Sequence, residues 1–244
     1  MEKIRHALSL TAIFFVIYVI VNVKWWRRRC NLLIKGLLMP SISHFQIYKP
    51  AEPCGLTGEN LKQTMEKVIL ERLSSNGREF DLKGYCVGSN GMTVFSKDER
   101  LSSLKRLNLG GNRIGDEGAK LLAESPVFSK LQWLELGGND LGPEGIRAIC
   151  RSTTLKKLKT LNVYRNLIKS EGARFIAKEN CLSQLEELDL AQNEIGDEGV
   201  MALAVSKLFP NLVALYMDNN FASVEAKEDA RACPNFHKLE SLNL

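Results

Sequence analysis

The chain has 244 residues, 45% of them hydrophobic and 25% charged, which fits an ordinary globular protein of one or two units. Its formal charge is +5, but residues 1–50 hold eight Lys or Arg against the single acid Glu2, a net of +7, which leaves residues 51–244 at −2. The larger part of the chain is therefore not basic, and this argues against nucleic-acid binding, which needs a basic stripe on the folded domain.

After a short flank, residues 1–6, the stretch from Ala7 to Val23 is an uncharged run of 17 residues followed by Trp25 and Trp26. As a helix it reaches roughly 25 Å before the tryptophans, near the lower limit for crossing a hydrocarbon core. Residues 7–26 are therefore expected to form one transmembrane signal anchor. A cleaved signal peptide is the rival reading. Against it stand the length of the run, the lack of a small-x-small cleavage site after it, and the interface-anchoring character of Trp-Trp-Arg-Arg-Arg. Lys3 and Arg5 precede the run, whereas Lys24, Arg27, Arg28, Arg29 and Lys35 follow it. That bias predicts a single-pass membrane protein whose carboxyl-terminal side faces the cytosol. Cys30, beside the anchor, is either acylated or an unmodified thiol. Residues 27–58 read as a basic juxtamembrane segment and linker, in which Pro40, Pro50, Pro53, Gly55 and Gly58 break any period.

Leu61, Met65, Val68, Ile69 and Leu73 mark an amphipathic helix, so residues 59–75 are expected to form an amino-terminal cap. From 76 onward the chain copies itself. Asn112 recurs as Asn139, Asn166, Asn193 and Asn220 at steps of 27, and Leu107 recurs as Leu134, Leu161, Leu188, Leu215 and Leu242. A period in this range marks a solenoid. Leu107-Asn108-Leu109 alternates apolar and polar residues, as a strand with one buried face requires. Ala119, Leu122 and Ala123 then have helical spacing, matched by Ile146, Ile149 and Cys150 one unit later. Residues 76–244 thus hold six turns of 27 residues and a seventh strand at the end. The first turn is degenerate: Phe80 and Leu82 hold the strand positions, and Tyr85 replaces the Asn. Asp116, Ser170 and Asp197 stand at expected helix N-caps, Pro143 suits a first helical turn, and Gly115, Gly142 and Gly196 are expected to make the turns before the helices.

The Asn column has a structural reason. An amide both donates and accepts, so Asn112, Asn139, Asn166, Asn193 and Asn220 are expected to bond their own loops and their neighbours' as a ladder. Strands pack at about 4.8 Å and helices at about 8 to 10 Å, so the helix side must be the longer arc and the sheet the concave wall.

The pattern Leu-x-x-Leu-x-Leu-x-x-Asn followed by Ile-Gly-Asp-Glu-Gly-Ala, as read from Leu104 to Ala119, resembles the leucine-rich repeat of the ribonuclease-inhibitor type. That type also builds the GTPase-activating protein of Ran and the repeat domains of NOD-like receptors. The resemblance implies an α/β horseshoe with a parallel concave sheet and outer helices that binds proteins. It leaves two alternatives open, a regulator of a small GTPase and a fragment of a larger NOD-like-receptor-type sensor.

Near the end the unit decays. Ala222, Ser223, Val224 and Ala226 replace the Ile, Gly, Asp and Gly of earlier turns, and Lys227 and Arg231 fall on the inner helix columns. The six cysteines suggest no framework of pairs. Cys150 and Cys181 occupy apolar columns and are expected to be buried thiols, which suits a reducing compartment. His6, His44 and His237 stand in the flank, the linker and the last loop, and no phosphate loop, zinc motif or nucleophile elbow occurs. No catalytic residue, cofactor, metal or small-molecule substrate is therefore expected.

Side chains between the strand leucines point to the concave face. The expected protein-binding residues there are Arg106, Trp133, Glu135, Asn162, Tyr164, Arg165, Glu187, Asp189, Tyr216 and Asp218, because Trp, Tyr and Arg are enriched at binding hot spots. The alternative for Trp133 is packing over Asn108 and Asn162 alone. The expected function is a membrane-anchored, non-catalytic scaffold or adaptor.

Overall fold

The computed structural model describes residues 55–244. The expected anchor at 7–26 and Cys30 lie outside the described residues, as does the linker up to residue 54. No helix among the described residues is long and apolar enough to cross a membrane.

Helix α1 (Gly58–Arg72) buries Leu61, Met65, Val68 and Ile69, one apolar stripe that covers the open end of the core. Seven three-residue strands follow: β1 (Glu79–Asp81), β2 (Arg106–Asn108), β3 (Trp133–Glu135), β4 (Thr160–Asn162), β5 (Glu187–Asp189), β6 (Ala214–Tyr216) and β7 (Ser241–Asn243). They form one parallel sheet in chain order, with Leu107 beside Leu134, Leu161, Leu188, Leu215 and Leu242 in register. Parallel neighbours need a long return, and the helices supply it. These are α2 (Gly88–Phe95), α3 (Gly115–Glu124), α4 (Pro143–Cys150), α5 (Lys169–Glu179), α6 (Asp197–Ala204), α7 (Val224–Ala232) and the short α8 (Pro234–His237).

The strand leucines and the inner helix residues form one continuous cluster from Leu61 to Phe236. Glycine in the first helical turn lets neighbouring helices close up: a Cβ at Gly199 would sit 3.0 Å from the Ser170 Cα. The last turn is thinner. Helix α7 buries only Ala226 and Ala230 and leaves Arg231 exposed, so the inner column expected to carry Arg231 is supplied by its small neighbours instead.

The asparagines make a chain of bonds through the loops. Asn166 Oδ1 accepts from the Asn139 and Leu141 N–H groups at 2.9 and 3.0 Å, while its Nδ2 donates to the Leu136 and Val163 carbonyls at 3.0 and 2.8 Å. Asn139 and Asn220 repeat this arrangement with their own neighbours. Asn193 does not. Its Nδ2 donates to three carbonyls, but its buried Oδ1 has no partner among the described residues. The cause lies one turn earlier. Cys86, Arg113, Asp140 and Glu194, each just after a ladder position, take left-handed φ values of 54 to 59°. Leu167 does not, and its N–H donates backward to the Leu141 carbonyl at 2.8 Å. A branched apolar side chain disfavours the left-handed region.

Two expectations are corrected. Asp116, Ser170 and Asp197 do not cap their own helices. Asp116 Oδ1 accepts from the Gly142 N–H at 2.6 Å, Ser170 Oγ from the Gly196 N–H at 2.9 Å, and Asp197 Oδ1 from the Ser223 N–H at 2.6 Å, each bond tying one turn to the next. Because these residues are already helical, their side chains project sideways rather than back along the helix. The second correction concerns cysteine. Cys150 is buried, and burial pushes its thiol up to about 12, but Cys181 is exposed. Cys86 is disulfide-bonded, and its partner lies outside the described residues.

Candidate protein-binding face

One face of the sheet meets the helices and the other is open. Parallel register sorts the open-face side chains into rows running across the strands. Arg106, Trp133, Thr160, Glu187 and Ala214 share one row, and Asp81, Asn108, Glu135, Asn162, Asp189 and Tyr216 share the next. Tyr164, Arg165 and Asp218 follow in the loops beyond the strand ends.

The second row has an unexpected uniformity. Asp81, Asn108, Glu135, Asn162 and Asp189 each turn one side-chain oxygen back to the backbone N–H two residues on, at 2.6 to 3.0 Å. The bonds close the turn after each strand. Each side chain has one more polar atom, a second oxygen or an amide nitrogen. Sequence reasoning placed Glu135, Asn162 and Asp189 on this face but missed their turn-closing bonds. The recurrence of an oxygen-bearing residue after each strand leucine was the available signal.

Trp133 is half-buried, and the Arg106 guanidinium lies over its ring, 4.4 Å from the centroid. The described ring contact of Trp133 is thus Arg106, which the sequence reading of Asn108 and Asn162 as packing partners did not include. Tyr164 is 38% exposed. Trp133, Glu135, Asn162, Tyr164 and Arg165 line one cavity of about 640 Å³, joined by Lys83, Asn108 and Asp140. Gly84, Gly110, Gly111, Gly137 and Gly138 also line it. A Cβ at Gly137 would come within 2.7 Å of Glu135 Oε1 and 3.2 Å of the Tyr164 carbonyl, so it would displace the Glu135 carboxylate from its bond to the Gly137 N–H. Glu187, Asp189, Tyr216 and Asp218 lie farther along the sheet, outside this cavity, and Arg106 touches it only through Trp133.

Burial is the main cause that raises the carboxyl pKa values of Glu135 and Asp189. Asp189 adds to the rise at Glu135, and Asp218 adds to the rise at Asp189. The Gly137 N–H and Lys83 oppose the first shift, and the Ala191 N–H opposes the second. None of the ion pairs among the described residues involves Glu135, Glu187, Asp189 or Asp218. Two other cavities, of about 580 and 630 Å³, lie between α3 and α4 and near Phe209 and Phe236, so volume alone does not single out the open face. Its aromatic side chains and half-buried carboxylates with raised pKa values do. Among the described residues no group of His, Cys, Asp or Glu is placed to hold a metal ion.

A family model described as Leucine Rich repeat matches residues 100–123, 129–150 and 183–204. The stretch between the second and third matches, 151–182, includes Leu167. No curated protein matches the chain. Among solved structures 61 chains match, one of them an internalin from Listeria monocytogenes with 23% identity and a TM-score of 0.39. The alignment covers 60% of this chain and 43% of the internalin, so the chain spans less than half the length of that structure.

Proposed function

From a chain built of leucine-rich repeats, we propose that this protein is a membrane-anchored, non-catalytic interaction module that seats a partner protein on the open face of its sheet. One observation carries the reading: Trp133 and Tyr164 stand beside the half-buried carboxylate of Glu135, with Asp189 farther along, and neither acid has an ion-pair partner among the described residues. Holding a carboxylate half out of water is costly, Lys83 offsets only part of that cost at Glu135, and a cation brought by a partner relieves the rest. The partner is therefore expected to present Lys or Arg beside apolar surface that covers the two rings. The repeats are assigned to the ribonuclease-inhibitor type, supported by an α-helix in each turn and the constant 27-residue step.

The test compares partner binding to the full chain and to two variants. Trp133→Ala is expected to weaken binding by about 2 kcal/mol or more. Lys120→Glu, an exposed change on the helix side, leaves it intact. Loss of binding in Lys120→Glu with full binding in Trp133→Ala means that the helices are the docking surface instead.

Residues 7–26 are proposed as the anchor, with the repeats on the cytosolic side, because of the charge bias around the apolar run. The disulfide at Cys86 favours a second reading, with the repeats on the oxidising side of the membrane, where such bonds persist. Protease added to the cytosolic side of intact vesicles separates the two. Digestion of the repeats supports the first reading, and protection supports the second.

A further inference from the structure

Cys150 ends helix α4, Cys181 lies two residues beyond the end of α5, and both thiols are free. They meet across the junction of the third and fourth turns, where the Cys181 backbone N–H donates to the Cys150 carbonyl at 2.7 Å. Backbones joined by such a bond hold their Cα atoms about 5 to 6 Å apart, inside the window of roughly 4.4 to 6.8 Å that a disulfide requires. At the preceding junction the backbone bonds differently, the Thr154 N–H donating to Ser152 Oγ at 3.2 Å, but a side chain still reaches the turn before. The same two positions are Ala123 and Thr154 there, and the Thr154 hydroxyl, one bond beyond Cβ like a cysteine sulfur, donates to the Ala123 carbonyl at 2.7 Å. The Cys181 Sγ itself donates to the Glu179 carbonyl at 3.6 Å, so a bond to Cys150 requires that side chain to turn about its Cα–Cβ bond. The thiols also feel each other: Cys181 adds to the rise at Cys150, whose larger cause is burial.

We propose that Cys150 and Cys181 are a redox-modification site at which a low-molecular-weight disulfide drives formation of a reversible bond stapling the third turn to the fourth. The exposed Cys181 thiolate attacks one sulfur of the small disulfide, forms a mixed disulfide and expels one small thiolate. The Cys150 thiolate then attacks the Cys181 sulfur, forms the protein disulfide and expels the second small thiolate. Each leaving thiolate takes up the proton that a cysteine gave, so two cysteines lose two electrons in total and the small disulfide gains them. Burial leaves little Cys150 thiolate near neutrality, so the second step is slow and the mixed disulfide on Cys181 accumulates first. The staple joins the turns that carry Trp133 and Tyr164, and closing it stiffens the two aromatic walls of the open-face cavity.

The test incubates the full chain, held in detergent micelles, with oxidised glutathione and follows it by non-reducing peptide mapping and thermal denaturation. Glutathione is expected on Cys181 first, followed by a linked peptide pair containing Cys150 and Cys181, with both species reversed by excess reduced glutathione. The linked form melts about 5 to 10 °C higher. Cys150→Ala, a change to the residue found at Ala123, Ala177 and Ala204, stops at the mixed disulfide, and Cys181→Ser forms neither species. Persistence of the wild-type mixed disulfide, linkage of Cys181 to Cys233, or closure only after denaturation overturns the proposal. So does a linked form with a lower melting point.

Discussion

Two columns of polar side chains run across this sheet, and they do the same local work in opposite surroundings. The inner column is Asn112, Asn139, Asn166, Asn193 and Asn220; the outer includes Asp81, Asn108, Glu135, Asn162 and Asp189. Both supply oxygens to loop N–H groups, with Asn193 the exception. The inner column is buried or nearly so, and its amides also donate to carbonyls, which a carboxylate cannot do. The outer column has water on one side, so a charge is tolerated there, and each side chain keeps one further polar atom. The difference teaches where function can reside. A position whose every polar atom is committed to the fold has nothing left for a partner, whereas the outer column has atoms to spare.

The sharpest way to break the comparison is to put an outer-column residue into the inner one. Asn166→Asp keeps the oxygen that serves Asn139 and Leu141 but turns the other end toward the Leu136 and Val163 carbonyls. A buried charge without a counter-charge is expected to cost about 3 to 5 kcal/mol in chemical denaturation at neutral pH. A cost no larger than that of Asn162→Asp on the outer column means that the columns are interchangeable.

Asn166→Ala comes next, at about 1 to 3 kcal/mol, because two buried N–H groups lose their acceptor. Asn193→Ala is expected to cost less, about 1 kcal/mol, because the Asn193 oxygen already lacks a partner and only its donated bonds are lost. Equal midpoint shifts for the two variants would mean that the gap at Asn193 has no energetic weight.

How much of this was legible in the sequence depends on distance along the chain. The strands and helices follow from alternation and helical spacing within one unit, and stacking follows from the 27-residue step, so the solenoid could be read directly. The bonds of Asp116, Ser170 and Asp197 to the next turn could not, because an N-cap reading looks only at the nearest residues. The broken rung at Asn193 originates in Leu167, 26 residues earlier, where a side chain chooses its own φ. At the open face, alternation set Trp133, Glu135 and Asn162 on one side, but Gly110, Gly111, Gly137 and Gly138 also line the cavity, and nothing in a glycine pair announces a surface.

The smallest expected effect is the most specific. Asp189→Asn preserves the bond to the Ala191 N–H and removes only the charge. Burial, with help from Asp218, raises the Asp189 pKa in the folded state, so the native chain holds this proton more tightly than the unfolded one. The sign is then fixed. The penalty is absent when pH lies below the unfolded carboxylate value, grows as pH rises toward the raised folded value, and is complete above it. Asp189→Asn should therefore stabilise the protein slightly at pH 7 and lose that effect as pH falls below the unfolded carboxylate value, at about pH 3 and lower. Asp98 and Glu179, whose values are lowered by Arg100 and Arg147, push the whole-protein curve the other way, so only the difference between wild type and variant isolates Asp189. The same variant should bind a cationic partner more weakly and with a shallower salt dependence, losing affinity where it gains stability. Stabilisation that persists unchanged at about pH 3 and lower, or binding that tightens, would show that the Asp189 charge is neither a burden to the fold nor an attraction to the partner.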